Sequence, residues 1–115
     1  MSELASRACI PCRGGTPPLT PDQIDPLLAQ LTGWTVAEFH HLEKSWRFPD
    51  FPRALAFVNR IGALAESEGH HPDIRLSWGR VDVAIHTHKL DGLTESDFIL
   101  AAKIDSMWAE DGEGR

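Results

Sequence analysis

The sequence IRLSWGRVDVAIHT, residues 74–87, decides the fold class because it is typical of a β-hairpin. From Val81 to Ile85, branched apolar residues alternate with small or polar ones, which is the pattern of a strand with one buried face. Gly79 separates this strand, residues 80–87, from a preceding strand over residues 74–78. The two strands are therefore predicted to pair in an antiparallel sheet.

Helical patterns flank this hairpin, and a second hairpin precedes it. Residues 20–33 begin with a Thr-Pro-Asp-Gln capping signal and end at a glycine, residues 50–69 carry an apolar stripe at helical spacing, and residues 94–108 repeat that pattern. Residues 34–48 alternate like two strands, with a turn predicted at residues 40–43. The order α-β-β-α-β-β-α predicts an α+β fold, in which a four-stranded antiparallel sheet has three helices packed on one face.

The chain is predicted to form one domain with a short extension at each end. At 115 residues it is long enough for one hydrophobic core. Residues 1–19 predict a flexible N-terminal arm, residues 20–109 the domain, and residues 110–115 a disordered acidic tail. The arm contains Cys9 and Cys12, whose spacing fits half of a zinc site, a redox pair or two free thiols. Their role is left open.

Charge and hydropathy exclude several classes of partner. The formal net charge is −6, whereas a nucleic-acid binder needs clustered Lys and Arg to neutralise phosphates. No apolar run reaches the roughly 20 residues that a membrane-spanning helix requires. Residues 1–15 lack the apolar core of a secretory signal peptide. We therefore expect a cytoplasmic protein that contacts neither nucleic acid nor membrane directly.

Histidines are the side chains best suited to proton exchange near neutral pH, and this sequence has six. His70 and His71 directly follow the second predicted helix, and Pro72 restricts His71 to an extended backbone. His86 and His88 stand at the end of the last predicted strand. Because a helix end and a strand end can meet in this fold, these imidazoles are candidates for acid–base chemistry in one pocket. A histidine that interacts only with a helix dipole or with solvent is the alternative.

A metal site is a second interpretation of the same side chains. The ligands that this interpretation would use are His70, His71, His86, His88 and Asp97. Adjacent histidines such as His70 and His71 point apart in most backbones, which disfavours joint ligation. His40 and His41 fall in a predicted polar turn and are interpreted as solvated residues.

A longer pattern connects these residues to a known family. It reads Glu66-x3-His70-His71-Pro72-x5-Trp78-x9-His88-x8-Asp97. This spacing resembles the signature of the pterin-4a-carbinolamine dehydratase family, and the resemblance covers residues 20–108. The family's fold, three helices against a four-stranded antiparallel sheet, agrees with the order of elements predicted above.

The resemblance implies a hydro-lyase reaction, in which 4a-hydroxytetrahydropterin loses water to give the quinonoid dihydropterin during tetrahydropterin recycling. An acid protonates the leaving hydroxyl and a base takes the N5 proton, so neither cofactor nor metal is expected. The resemblance assigns catalysis to His70, His71, His88 and Asp97. It assigns substrate binding to His70, His71, Pro72, Thr87, His88, Lys89, Glu66 and Trp78. We expect His70 and His88 to transfer protons on opposite faces of the pterin, and His71 to position it.

Three of these residues also fit purely structural positions. Asp97 stands in the first turn of the third predicted helix, where the helix dipole favours a carboxylate. Glu66 fits a solvated face of the second helix, and Trp78 fits a packing position.

Oligomerisation and protein partners are further implications of the resemblance. It implies a homodimer or homotetramer that binds a small-molecule pterin. The alternative function is a dehydratase-like binding protein, either a coactivator, as in animals, or an assembly factor, for example for ribulose bisphosphate carboxylase. Retention of every residue in the pattern favours catalysis.

Overall fold

Helices and antiparallel strands alternate along the part of the chain that the computed structural model describes, residues 3–7 and 17–110. In chain order the elements are a 3₁₀ helix at Glu3–Ser6, α1 (Pro21–Leu28), β1 (Thr35–Ala37), β2 (His41–Arg47), α2 (Phe51–Glu68), β3 (Asp73–Ser77), β4 (Arg80–Ile85), a 3₁₀ helix at His88–Leu90 and α3 (Glu95–Glu110). The strands form one antiparallel sheet in the order β1-β2-β4-β3. The predicted α+β class and order of elements are confirmed.

The β3–β4 hairpin forms as predicted and directs its apolar residues into the core. Asp73 pairs with Ala84 at one end of the hairpin, and Ser77 pairs with Arg80 at the other. The side chains that β4 buries, at most 2% exposed, are Val81, Val83 and Ile85. Residues between them point to the opposite face of the sheet, because strand side chains alternate.

α2 begins and ends at the residues that the sequence indicates. Asp50 caps the helix by accepting a hydrogen bond from the backbone N–H of Arg53 at 3.0 Å. Gly69 ends it in the left-handed region, at φ 65°. The following N–H, from His70, donates to the carbonyl of Ala65 at 3.2 Å. This Schellman-type end fixes the backbone that carries His70.

The hydrophobic core lies between the sheet and the helices. α3 contributes more than the predicted stripe, because six of its apolar residues are at most 2% exposed, namely Phe98, Ile99, Leu100, Ala101, Ala102 and Ile104. Trp46 of β2 and Phe57 of α2 meet edge to face at 5.0 Å between ring centroids. Trp108, predicted to be buried, is only half-buried, and its ring centroid lies 5.3 Å from that of Phe57.

The turn between β1 and β2 lies earlier than predicted. Glu38 and Phe39 both adopt φ 54°, so the chain reverses before His41, where β2 begins. The prediction of a turn at residues 40–43 is wrong because Leu42 is fully buried and pairs with Ile85 of β4.

α1 ends earlier than its apolar spacing indicates. It stops at Leu28 rather than continuing to Gly33. The next N–H groups, from Gln30 and Leu31, donate to Leu27 and Leu28 three residues back, at 3.1 and 3.0 Å. Tighter bonds of this kind commonly close a helix.

Part of the segment assigned to the flexible arm packs against α3. Leu4 is 1% exposed, and Lys103 Nζ donates to the carbonyl of Ala5 at 3.0 Å. The sequence analysis did not anticipate this packing. Cys9, Cys12 and residues 111–115 lie outside the described residues, so the limits of the arm and tail stay a prediction. No helix in residues 3–7 or 17–110 is both long and apolar enough to span a bilayer.

Candidate active site

A buried carboxylate lies where the end of α2, the end of β4 and the start of α3 meet. Asp97 is 0% exposed, and its Oδ2 accepts hydrogen bonds from the backbone N–H of Thr94 at 2.7 Å and from the Thr87 hydroxyl at 2.9 Å. Thr94 directly precedes α3, so Asp97 in the first turn accepts a bond from the N–H of the residue before the helix. The hydrogen bonds offset the desolvation of the charge and hold the carboxylate in one orientation.

His70 is hydrogen-bonded to the second oxygen of that carboxylate. Its Nε2 lies 2.6 Å from Asp97 Oδ1, and its side chain is 15% exposed. An ionised carboxylate can only accept, so Nε2 carries the hydrogen and the ring presents Nδ1 to its other side. The Schellman turn at Gly69 and the Thr94–Asp97 hydrogen bond at the start of α3 thus place the two partners independently.

His71 points to a different carboxylate. Its Nε2 lies 2.9 Å from Glu66 Oε2, one and a half turns earlier in the chain, and the two side chains are 60% and 82% exposed. The expectation that adjacent histidines diverge is met, because His70 contacts the buried Asp97 and His71 the solvated Glu66.

A cluster of three further imidazoles lies at the end of β4. The ring of His86 lies 4.6 Å from that of His40 and 4.2 Å from that of His88, measured between centroids. Burial, and then the neighbouring charges of His88 and His40, lower the pKa of His86 below its usual value. His40 Nε2 lies 2.7 Å from Asp91 Oδ1, and this hydrogen bond lowers the pKa of Asp91.

Comparison with known proteins identifies the family of the chain. A family model described as "Pterin 4 alpha carbinolamine dehydratase" matches residues 17–107, which include every residue of this site. The chain belongs to this family. The resemblance noted in the sequence is therefore confirmed.

Relatives in the family match along nearly the whole chain. A protein of Rubrobacter xylanophilus is 55% identical over 107 residues, which are 93% of this chain and 100% of the relative. A protein of Rickettsia bellii is 58% identical over 105 residues, 90% of this chain and 93% of the relative. The names of both assign them to the pterin-4-alpha-carbinolamine dehydratases.

Solved structures share the fold. A protein from Brucella melitensis, described as a transcriptional coactivator/pterin dehydratase, superposes with a TM-score of 0.73 at 32% identity, over 78% of this chain and 97% of that one. A pterin dehydratase-like protein, described as a RuBisCO assembly factor in the alpha-carboxysome, gives a TM-score of 0.58 at 24% identity, over 72% of this chain and 94% of that one. The second likeness concerns the fold alone.

The residues of the family pattern do not all lie together. His70 and Thr87 both contact Asp97, and His88 follows Thr87 directly. Trp78 is 67% exposed in the β3–β4 turn, at the end of the hairpin opposite His88. At about 3.3 Å per residue, the strand separates the two by roughly 20 Å or more.

The remaining pattern residues border the histidines. Pro72 is half-buried between α2 and β3, and Lys89 is exposed in the 3₁₀ helix that His88 begins. Their predicted substrate-binding roles stay predictions.

The cluster contains one histidine that the sequence analysis interpreted as solvated, His40, and one that it named only as a general acid–base candidate, His86. His40 is the last residue of the displaced β1–β2 turn, and His86 directly follows β4. The pairing of Leu42 with Ile85 brings these two segments side by side. The signal for this contact is a strand register, which a single sequence leaves open.

The alternative metal site is not assembled as predicted. Among the described residues, two groups bring three candidate ligand atoms within 4.8 Å of one another: His40, His86 and Asp91, and Asp73, His86 and His88. Neither group contains His70, His71 or Asp97, because those side chains pair with one another or with Glu66. The interpretation that joins them in one metal site gains no support from this arrangement and stays a prediction.

Proposed function

We propose that this protein catalyses the dehydration of a 4a-hydroxytetrahydropterin to the quinonoid dihydropterin. In this reaction the C4a–O bond breaks, the hydroxyl takes a proton and leaves as water, and N5 loses a proton as the C4a=N5 double bond forms. The chemistry needs one proton donor and one proton acceptor near a flat heterocycle. Family membership and the histidines around Asp97 support this reaction.

The hydrogen bond between His70 and the buried Asp97 is the observation that carries the proposal. Asp97 accepts a hydrogen bond from the Nε2–H of His70, which leaves Nδ1 as the ring nitrogen that exchanges a proton with substrate. A buried carboxylate stabilises the imidazolium that forms when Nδ1 takes up a proton, and it keeps the ring in one orientation. Asp97 thus acts through His70, as a positioning residue.

His88 is proposed as the second proton-transfer group. It follows Thr87, whose hydroxyl donates to Asp97, so one network positions both candidate histidines. Its side chain is exposed, so substrate can reach it. His71, exposed beside Glu66, is assigned to positioning the pterin rather than to proton transfer.

A dehydration assay with chemically generated 4a-hydroxytetrahydropterin tests this function. The wild-type rate is compared with the spontaneous reaction and with His70→Ala and His88→Ala. His41→Ala is the matched control, because His41 also faces a carboxylate, Glu43 at 3.5 Å, but lies outside the proposed set. We expect acceleration by wild type and His41→Ala and a large loss in the other two variants. A wild type that gives no acceleration would overturn the enzymatic function; full rates in both variants would overturn only the residue roles.

The biological setting is part of the same proposal. Dehydration of the carbinolamine returns oxidised pterin to a form that can be reduced, so the protein is assigned to tetrahydropterin recycling in the cytoplasm. A homodimer or homotetramer is proposed from the family, and the outer strands β1 and β3 each offer an edge that a second copy could pair with.

A further inference from the structure

His40, His86 and Asp91 converge from three separate segments of the chain. His40 comes from the β1–β2 turn, His86 directly follows β4, and Asp91 follows the 3₁₀ helix at His88–Leu90. Asp91 adopts the left-handed conformation at φ 52°, which turns the chain back toward β4. Neither the proposed proton transfer by His70 nor the capping of α3 by Asp97 uses these three side chains.

Their candidate ligand atoms already lie close together. Those of all three residues are within 4.8 Å of one another, and His40 Nε2 and Asp91 Oδ1 are 2.7 Å apart. Ligands around a tetrahedral zinc ion, at about 2.0–2.1 Å from the metal, are roughly 3.3 Å apart. The side chains of His40 and Asp91 are 32% and 86% exposed, so small rotations can bring the ligand atoms to that spacing.

We propose that His40, His86 and Asp91 form a binding site for a divalent transition-metal ion of the zinc class. Two imidazoles and one carboxylate are a ligand set suited to zinc, and they leave a fourth position open. The centroid of the His88 ring lies 4.2 Å from that of His86, so a further imidazole borders the proposed site. This inference concerns metal binding alone and does not depend on the proposed dehydration.

The competing group consists of Asp73, His86 and His88, and thus shares His86 with the proposed site. We favour the proposed site because of the spacing of its ligand atoms. In the proposed site, one pair of ligand atoms is already in direct contact, at 2.7 Å between His40 and Asp91. His88 is moreover the proposed proton-transfer group, so the proposed site leaves its imidazole available to substrate. The two groups differ in their carboxylate, and this difference makes them separable by substitution.

The test is a zinc titration of the full chain, freed of metal by chelation, in competition with a chromophoric chelator. Cys9 and Cys12 are replaced by serine in every protein, because the thiolates of Cys9 and Cys12 are strong zinc ligands themselves. We expect this background to bind one equivalent of zinc. Cobalt substituted for zinc should give the visible absorption of a four-coordinate ion.

Three variants in that background locate the site. His86→Asn and Asp91→Asn should each weaken zinc binding by about tenfold or more, because each substitution removes a proposed ligand. Asp73→Asn, the matched control, should bind as the background does. Asp91 is exposed, so its substitution keeps the test valid even if His86→Asn folds poorly.

Three outcomes would overturn the proposal. One is the loss of all zinc binding when Cys9 and Cys12 are replaced, since the thiolates would then hold the metal. The second is unchanged affinity in Asp91→Asn. The third is weaker binding in Asp73→Asn but not in Asp91→Asn, which would assign the metal to the competing group.

Discussion

His70 and His71 are neighbours in the chain, and each lies within hydrogen-bond distance of a carboxylate, yet their surroundings differ. The His70–Asp97 pair is 15% and 0% exposed with a separation of 2.6 Å, whereas the His71–Glu66 pair is 60% and 82% exposed at 2.9 Å. The first carboxylate is held by Thr87 and Thr94. The second lies on a solvated helix face.

The difference shows that residue type and spacing alone do not fix the surroundings of an imidazole. Water screens the exposed pair, and pairs of that kind contribute about 0–1 kcal/mol. In the buried pair, the fixed carboxylate controls which nitrogen of His70 carries the proton and where the ring points. This difference is the reason why we propose proton transfer for His70 and a supporting contact for His71.

The largest expected effect separates the two histidines by rate. His70→Ala should lower kcat for dehydration by about 10²- to 10⁴-fold, the usual contribution of a general acid–base group. His71→Ala should mainly raise KM, with kcat changed less than about tenfold, because it removes a binding contact rather than a proton carrier. Steady-state kinetics of both variants measure this. Equal losses of kcat would erase the distinction between the pairs.

The two carboxylates should differ next in their effect on stability. Asp97→Ala removes the cap of α3 and leaves buried donors unpaired, so the free energy of unfolding should fall by about 2–4 kcal/mol. Glu66→Ala, the matched control, should change it by no more than about 0.5 kcal/mol. Urea denaturation of both variants provides the measurement. A loss in Glu66→Ala as large as that in Asp97→Ala would contradict the structural role given to burial.

Gly69 separates the helix that carries Glu66 from His70, and its substitution tests how firmly that turn holds the pair. Its φ of 65° disfavours any side chain, although no atom would meet an added Cβ within 4 Å. Gly69→Ala should therefore destabilise the protein by about 1 kcal/mol through backbone strain alone. In the dehydration assay, its kcat should fall less than that of His70→Ala. A larger fall in kcat than in His70→Ala would show that the turn does more than position one ring.

The smallest expected effect concerns Asp82, a carboxylate on the outer face of the sheet. The Ser45 hydroxyl, and after it Arg80, lower the pKa of Asp82. A carboxyl whose pKa is lower in the folded protein contributes stability above its ordinary value of 3.8, and that stability is lost as the pH falls through the folded pKa. Ser45→Ala should cost at most about 0.5 kcal/mol at pH 5. The difference in the free energy of unfolding between Ser45→Ala and wild type should shrink as the pH is lowered from 5 to below 3.8. A difference that stays constant over these pH values would exclude Asp82 as its cause.

Local signals explain why much of the fold was predictable. The carboxylate cap at Asp50, the alternation along β4 and Gly69 at the end of α2 each act within a few residues, so a single sequence contains them. Asp97 was predicted as a first-turn carboxylate for the same reason. The hydrogen bond that it accepts from the N–H of Thr94 spans only three residues.

The parts that were missed depend on distant partners. The turn after β1 was placed too late because the burial of Leu42 arises from its pairing with Ile85, 43 positions further along the chain. The same register brings His40 beside His86, so their contact was invisible in the sequence. Leu4 packs in the core although its segment has the composition of a loose arm.

A double-mutant cycle on the dehydration rate tests most directly whether His70 and Asp97 act as one unit. It compares wild type, His70→Asn, Asp97→Asn and the double variant at a temperature where all four are folded. The account predicts that Asp97→Asn lowers the dehydration rate when His70 is present but has little further effect once His70 is replaced. The coupling energy between the two substitutions should be at least about 1.4 kcal/mol. The cycle of His71→Asn with Glu66→Gln should be additive within about 0.5 kcal/mol. If Asp97→Asn lowers the rate by the same factor with and without His70, the central claim is contradicted.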